Sequence, residues 1–238
     1  MTCGHDAKIG RTVPVRGTVP EGYFSNERPE MLEFVPEGVG RILDVGCGEG
    51  GFSAMVRKVR GVEVWGVERD AGAARRAARR LDRVIRGDFD RVLRRLPKRG
   101  FGAVVFNDVL EHMSDPASAL AQARGLLAPG GVVVASLPNV LHVSVLKSLL
   151  WDRDWRYAPY GILDRTHLRF FTRRSIRRLF EETGYERVRI KGINPNRNPL
   201  SLILAVLSLG WFAQSRFQQF ACVAAVRRAA RAVEQGNS

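Results

Sequence analysis

The fold of this chain is decided by the stretch Ile42-Leu43-Asp44-Val45-Gly46-Cys47-Gly48-Glu49-Gly50-Gly51. A short apolar strand carries an acidic residue near its end and runs into a turn that is rich in glycine. Apolar residues then recur with helical spacing at Phe52, Met55 and Val56. A strand that leads through a glycine turn into a helix is the entry to a nucleotide-type cofactor site in a parallel α/β sheet.

Strand-like and helix-like segments alternate along the chain from this turn onwards. The predicted strands lie at 41–45, 62–67, 84–85, 101–106 and 132–137. The predicted helices between them lie at 52–59, 71–81, 90–96 and 116–127. Such alternation predicts a Rossmann-like, doubly wound parallel α/β sheet. Ligands of these sheets bind at the carboxyl ends of the strands, beside the first strand.

The alternation stops after residue 137. Residues 138–172 follow a strand's carboxyl end directly and hold several aromatic side chains, so we predict that they form a substrate lid inserted after strand 5. A helix at 172–183 and strands at 185–190 and 220–226 complete the predicted pattern.

The longest uncharged run spans residues 199–215 and is mostly apolar. Its apolar part is shorter than the ~20 residues that a membrane span needs. We therefore expect a buried crossover helix and no transmembrane span. The alternative is peripheral contact with a membrane through 200–212.

The composition is that of a globular protein with a basic excess. The chain has 38 Lys and Arg against 24 Asp and Glu, a net charge of +14. The arginines are spread over several predicted helix faces, as on solvated surfaces, so charge alone does not favour a nucleic-acid partner. Cys3, Cys47 and Cys222 lack metal-ligand spacing, and the amino terminus lacks an apolar signal segment. We expect a cytoplasmic protein without a metal site.

One domain is predicted over residues 21–228. Residues 1–20 are polar and rich in glycine and proline, which is typical of a flexible tail. Residues 229–238 are interpreted as a second tail at the carboxyl terminus.

The glycine turn by itself also fits a dinucleotide. Gly46, Gly48 and Gly51 satisfy the G-x-G-x-x-G pattern. Two acids argue against this cofactor, because Asp44 precedes the glycines and Glu49 lies within the turn. Their carboxylates would repel a pyrophosphate bound at the helix amino terminus.

Further acids follow the other predicted strands, at Glu68, Asp88 and Asp108. A pocket ringed by carboxylates suits a cofactor that carries a sulfonium, an ammonium and a ribose. Glu68 follows the glycine turn by about twenty residues, the distance at which a βαβ unit places an acid against ribose hydroxyls. This spacing does not separate NAD from other ribosides, but the lack of a phosphate-neutralising group favours a phosphate-free cofactor.

Residues 41–137 together resemble the class I S-adenosylmethionine-dependent methyltransferases. The glycine turn, Glu68, residues 87–89, residues 107–112 and the turn at 127–131 match the family pattern in its order. The resemblance implies a seven-stranded sheet of order 3-2-1-4-5-7-6 with the last strand antiparallel, and S-adenosylmethionine as the cofactor. The cofactor-binding residues that it implies are Asp44, Gly46, Cys47, Gly48, Gly50, Glu68, Arg69, Asp88, Phe89, Asn107, Asp108 and Val109.

Residues 137–142 and 161–172 resemble bacterial methyltransferases of ubiquinone-type O-methylation and, more closely, of glycan and surface-polysaccharide clusters. This resemblance implies methyl transfer to a hydroxyl of a small molecule, with a sugar or glycan precursor as the expected acceptor. A general base assists such a transfer, and the candidates are His167, then His142, then His112. The candidate substrate-binding residues are Tyr23, Trp155, Arg165 and Arg169.

Two other functions remain open on the sequence. An RNA methyltransferase would use the basic surface, and a non-catalytic scaffold would bind partners through the apolar segment 200–212. Single residues also have structural alternatives: residues 164–167 can form a structural polar network, Asp88 can cap a helix, and Phe89 can belong to the core.

Overall fold

The computed structural model describes residues 27–196 and 199–227 of the chain. Its strands are β1 (Arg41–Val45), β2 (Glu63–Glu68), β3 (Arg83–Arg86), β4 (Phe101–Asn107), β5 (Leu127–Pro138), β6 (Tyr185–Pro195) and β7 (Phe217–Val226). They form one sheet in the order β3-β2-β1-β4-β5-β7-β6. The pairs among β1 to β5 are parallel, and β7 is antiparallel to both β5 and β6. The predicted strand order and the antiparallel last strand are confirmed.

The helices are α1 (Gly51–Arg60), α2 (Ala71–Ala77), α3 (Phe89–Val92), α4 (Pro116–Leu126), α5 (Val143–Leu150), α6 (Arg173–Glu182) and α7 (Pro199–Leu207). Local sequence sets several of their ends. Asp115 accepts the N–H of Ser118 at the start of α4, and Thr172 forms a capping box with Ser175 at the start of α6. Gly61, at a φ of +64°, ends α1.

Side chains alternate along each strand, so each face of the sheet presents its own set of apolar side chains, and helices cover both faces. In β4, Val104 and Phe106 pack in the core layer that contains α4 and α6. Ala103 and Val105 pack in the other layer, against α1. Two covered faces explain why the strands are continuous apolar runs.

The structure refines the segment predicted as a lid. Residues 138–172 contain the helix α5, which the sequence did not indicate, followed by a loop that returns to the sheet edge. An isolated bridge joins Asn139 to Phe171, so both ends of the segment lie at the carboxyl end of β5. A lid function for this segment stays a prediction. The tails predicted at 1–20 and 229–238 lie outside the described residues.

The expectation of a buried crossover helix at 199–215 is wrong. β6 and β7 are antiparallel neighbours, so their connection does not have to cross a sheet face. α7 accordingly leaves Leu202, Val206 and Leu207 at 65%, 66% and 78% exposure. Across the described ranges, no helix has the length and apolarity to span a bilayer.

Asn139 ties the edge of the sheet together where β5 ends and β7 begins. Its side chain is fully buried, and its amide nitrogen donates to the carbonyl oxygens of Gln214 and Phe217 at 3.0 and 2.9 Å. Its side-chain oxygen accepts the N–H of Leu141 at 3.0 Å. One side chain therefore satisfies three backbone groups.

We predict that Asn139→Ala lowers the free energy of unfolding by about 2–4 kcal/mol, because buried backbone groups lose their partners at about 1–3 kcal/mol each. Urea unfolding followed by circular dichroism measures the change. Gln218→Ala, at an exposed position of β7, is the control and should stay within about 0.5 kcal/mol of the parent. Equal losses in the two variants would contradict the assignment.

Candidate cofactor and acceptor site

The glycine loop between β1 and α1 is held against the end of β2. The backbone N–H groups of Gly46 and Cys47 both donate to the carbonyl oxygen of Val67, at 2.8 and 3.1 Å. Gly46 has a φ of +72°, and a β-carbon there would lie 2.6 Å from Cγ2 of Val109. Only glycine fits this position, since it combines a left-handed backbone with a close approach. Gly50, at a φ of +78°, begins α1.

Glu68, at the end of β2, closes the loop from the other side. Its carboxylate accepts the N–H groups of Gly48 at 2.9 Å and Asp70 at 2.7 Å, and the residue is 5% exposed. A carboxylate has about four acceptor positions, so two remain for ribose hydroxyls. Arg69 is exposed beside it.

The environments of Asp44 and Glu49 weaken the repulsion of phosphate that the sequence suggests. Asp44 is buried and accepts the hydroxyl of Ser53 at 2.6 Å. Burial raises the pKa of Asp44 to about 7 against the effect of the Ser53 hydrogen bond, and the charge of Glu68 adds to the rise. Glu49 forms an ion pair with Arg76 at 2.9 Å, which offsets the repulsion of phosphate that its position implied.

The remaining residues implied for the nucleoside divide into exposed and buried ones. Asp88 begins α3 without a side-chain capping bond and lies 3.6 Å from the guanidinium of Arg91, and its side chain is 48% exposed, so a ligand can still reach it. The ring of Phe89 packs edge to face on Phe106 in the core, with centroids 5.6 Å apart. Cys47 is also buried, so only its backbone reaches the loop surface.

The end of β4 supplies a polar floor. Asp108 has a φ of +54°, a strained conformation for a residue other than glycine. Its carboxylate accepts the hydroxyl of Ser136 and the amide of Gln219, both at 2.9 Å, and pairs with Arg28. The amide of Asn107 is buried, and neither its nitrogen nor its oxygen has a partner among the described residues. Ser136 and Gln219 are residues of this floor that sequence analysis did not identify.

These residues fit S-adenosylmethionine. An unpartnered buried amide such as that of Asn107 costs about 1–3 kcal/mol unless a ligand satisfies it. The glycine loop presents no basic side chain to neutralise a phosphate, and Glu68 keeps acceptor positions for a ribose. On this fit, the glycine loop, Glu68, Asp88 and Asn107 are the groups that would hold the cofactor.

Beyond Asp108, the 3₁₀ turn Leu110–His112 meets the loop that contains His167. The rings of His112 and His167 lie edge to face with centroids 4.7 Å apart. The N–H groups of Leu168 and Arg169 both donate to the carbonyl oxygen of Glu111, at 2.8 and 3.1 Å, and hold the loop in place. The structure thus brings together two of the three histidines that the sequence proposed.

Each of these histidines turns one ring nitrogen to a backbone carbonyl. Nδ1 of His112 lies 3.3 Å from the carbonyl oxygen of Thr166, and Nδ1 of His167 lies 3.0 Å from that of Ile162. A carbonyl oxygen only accepts, so we assign the proton of each neutral ring to Nδ1. The lone pair of each ring is then on Nε2, as in a general base or a metal ligand.

Glu111 is a site residue that the sequence analysis missed. Its carboxyl group is fully buried, and neither oxygen has a partner within the described ranges. Burial, and then the charge of Asp108, hold the pKa of Glu111 well above its usual range. One ligand atom each from Glu111, His112 and His167 lies within 4.8 Å of the others, a spacing that can hold a cation. The sequence analysis, which expected no metal site, did not identify this cluster. An acid and a histidine directly after an apolar strand were the available signal.

His142, the second candidate base, has a structural position instead. It is the N-cap of α5, with Nδ1 2.8 Å from the hydroxyl of Ser144. Its Nε2 lies 3.3 Å from the amide nitrogen of Asn196. Both ring nitrogens are therefore occupied, which argues against a role in proton transfer.

The candidate substrate residues are spread around the two histidines. Trp155 packs edge to face on Phe170, with centroids 5.2 Å apart. The guanidinium of Arg169 donates to the carbonyl oxygen of Ser114 at 2.7 Å, and Arg165 is exposed. Tyr23 lies outside the described residues.

The acid beside His167 has a structural role. Asp164 accepts both the N–H and the hydroxyl of Thr166, each at 2.8 Å. It therefore orders the loop that carries His167, as the structural alternative proposed.

Comparisons with known proteins agree on one family. Residues 22–190 match the family model described as a methyltransferase domain. A ubiquinone biosynthesis O-methyltransferase of Cereibacter sphaeroides is 30% identical over 184 residues, covering 74% of this chain and 72% of its own. An uncharacterized methyltransferase of Mycobacterium tuberculosis is 41% identical over 103 residues, covering 42% of this chain; the match spans about half (51%) of the relative's length.

Solved structures share the fold. A SAM-dependent methyltransferase from Archaeoglobus fulgidus superposes with a TM-score of 0.63 at 19% identity, covering 79% of this chain and 87% of its own. An S-adenosylmethionine-dependent methyltransferase from Mesorhizobium loti gives a TM-score of 0.59 at 20% identity, covering 84% of this chain and 97% of its own.

We predict that Glu68→Gln weakens binding of S-adenosylhomocysteine about 10–100-fold, because charge-assisted hydrogen bonds are worth about 1.5–3 kcal/mol. Isothermal titration calorimetry measures the change. Glu63→Gln is the matched control, since Glu63 lies at the opposite end of the same strand, paired with Arg41. Unchanged affinity in Glu68→Gln would exclude the ribose role.

Proposed function

Because the chain belongs to the methyltransferase domain family and uses S-adenosylmethionine, we propose that it methylates a hydroxyl oxygen of a small acceptor, a sugar or glycan precursor. The observation that carries the proposal is the pair His112–His167 beside the polar floor of the site. Relatives named as O-methyltransferases of ubiquinone biosynthesis support transfer to oxygen. The sugar acceptor rests on the resemblance of residues 137–142 and 161–172 to glycan-cluster enzymes.

Methyl transfer places few chemical demands on the protein. The cofactor supplies a methyl group that its sulfonium already activates. The protein has to align the acceptor oxygen with that methyl group, and positioning of this kind can supply on the order of 7–11 kcal/mol of the barrier at best. The hydroxyl proton must also leave, and a positioned base contributes roughly 10²–10⁴-fold.

The histidine pair is suited to take that proton. Nε2 of His167 is the proposed acceptor, because its Nδ1 is engaged with the carbonyl oxygen of Ile162. Burial lowers the pKa of His112, and the adjacent His167 lowers it further. The lowered pKa favours the neutral form of His112, and the close approach of the two rings disfavours a state in which both are charged.

We predict that a screen with tritiated S-adenosylmethionine finds label on a nucleotide sugar or a glycan precursor, as a methyl ether. Phenolic metabolites and RNA are the competing acceptors in the screen. Label on a phenol alone would replace the acceptor class, and label on RNA would contradict the proposal.

With an acceptor found, we predict that His167→Asn and His112→Asn each lower kcat by about 10²–10⁴-fold at unchanged affinity for S-adenosylhomocysteine. In the parent, kcat should fall at acid pH below the usual titration range of histidine and level off above it, because burial and the adjacent His167 lower the pKa of His112 and a protonated ring accepts no proton. His142→Asn should lower the stability and leave kcat close to that of the parent.

The same measurements separate a base from a metal ligand. Treatment with EDTA should leave kcat unchanged. Activity that disappears with EDTA and returns with Mg²⁺ would contradict the proton-acceptor role and assign the cluster to a cation.

A further inference from the structure

The connection between β6 and β7 holds an apolar surface in solvent. Leu202, Val206, Leu207, Leu209 and Trp211 are 65%, 66%, 78%, 98% and 75% exposed. We call these five side chains the α7 patch. Single exposed apolar residues are ordinary, but a group of large ones in one helix and its following turn marks an interaction site.

The surroundings of the α7 patch are basic. The guanidinium of Arg174 lies over the ring of Trp211, 5.8 Å from its centroid, so the basic face of α6 adjoins the patch. Arg173 and Arg178 are exposed on the same helix, as is Arg177, which forms an ion pair with Glu181 at 3.7 Å. The sequence between Glu186 and Glu234 contains no acid, so the connection and β7 lack negative side chains, and Glu186 near the start of β6 is the one acid of that strand.

We propose that the α7 patch docks on a bilayer surface that contains anionic phospholipids. Leucine and valine side chains on one short helix supply apolar area for the acyl boundary. Tryptophan prefers the membrane–water interface, where its ring is apolar and its N–H is hydrated. The neighbouring arginines match the charge of the lipid phosphates.

The charges around the α7 patch favour a bilayer, rather than a second copy of the chain, as its binding partner. In an isologous dimer formed through this patch, Arg174 and its basic neighbours would face the same residues of the partner. Like charges across an interface are unfavourable. An anionic surface accepts the apolar side chains and the arginines together.

The patch and the candidate site share one edge of the sheet. The connection leaves β6 at Pro195 and returns at Phe217, which pairs with it. Gln219, two residues further along β7, pairs with Pro138 at the carboxyl end of β5 and donates to Asp108. Docking would therefore place the acceptor side of the protein next to the bilayer.

Co-sedimentation with vesicles tests the proposal with the full chain. We expect binding to vesicles of equal parts phosphatidylcholine and phosphatidylglycerol, weaker binding at high salt, and little binding to phosphatidylcholine alone. The double variant Leu207→Ser/Leu209→Ser should bind at least about tenfold more weakly, because it removes apolar area that the bilayer would bury. Arg174→Gln should weaken binding severalfold.

Matched controls change the same chemistry elsewhere. Val59→Ser removes an exposed apolar side chain of α1, and Arg95→Gln removes an exposed charge; both should bind as the parent does. Unchanged affinity for S-adenosylhomocysteine shows that the patch variants are folded. Parent-like binding by the double variant would overturn the proposal, as would an equal loss in Arg95→Gln. A dimer in solution that the double variant abolishes would overturn it in favour of a self-interface.

Discussion

The hydrogen bonds and the ion pair of the Asp108 carboxylate hold together the strand ends at the carboxyl edge of the sheet. Asp108 stands at the end of β4 and is bonded to Ser136 of β5 and Gln219 of β7, while Arg28 supplies the opposite charge. These bonds hold Asp108 at a positive φ, which turns the chain sharply into the 3₁₀ turn that carries Glu111. The strain at Asp108 is thus sustained by three partners and positions the groups that follow it.

This arrangement also sets the charge state of the site. Arg28 lies beside Asp108, and the pKa of Arg28 is raised because its partners Asp108 and Glu30 outweigh the effect of burial. The nearby carboxyl group of Glu111 has no hydrogen-bond partner among the described residues, and burial, followed by the charge of Asp108, raises its pKa well above its usual range. The same logic applies at β1, where Asp44 shares its surroundings with Glu68. The raised pKa values of Asp44 and Glu111 therefore make the pocket less negative than its residue types suggest.

The sequence predicted the parts of this protein that local pattern determines. Two such local properties are the continuous apolar strands and the glycine turn, in which several glycines have a positive φ. The strand order was predicted from them through the family resemblance, and the structure has that order. The approach of His112 to His167 is not local, because the two residues meet only when the 138–172 segment folds back onto the end of β4. The N-cap role of His142 was equally hidden, since it depends on where α5 begins.

Helix α7, which we expected to be buried, shows why apolar composition alone does not predict burial. Helices that connect parallel strands must cross a face of the sheet, so they bury one side, and arginines such as Arg57, Arg75 and Arg124 lie on their exposed sides. α7 connects antiparallel neighbours and is free of that constraint. A helix in this position is covered only if another element or another molecule covers it, and no described element covers Leu207 or Leu209. The exposed surface of α7 is therefore uncharged, whereas the exposed faces of the crossover helices carry arginines.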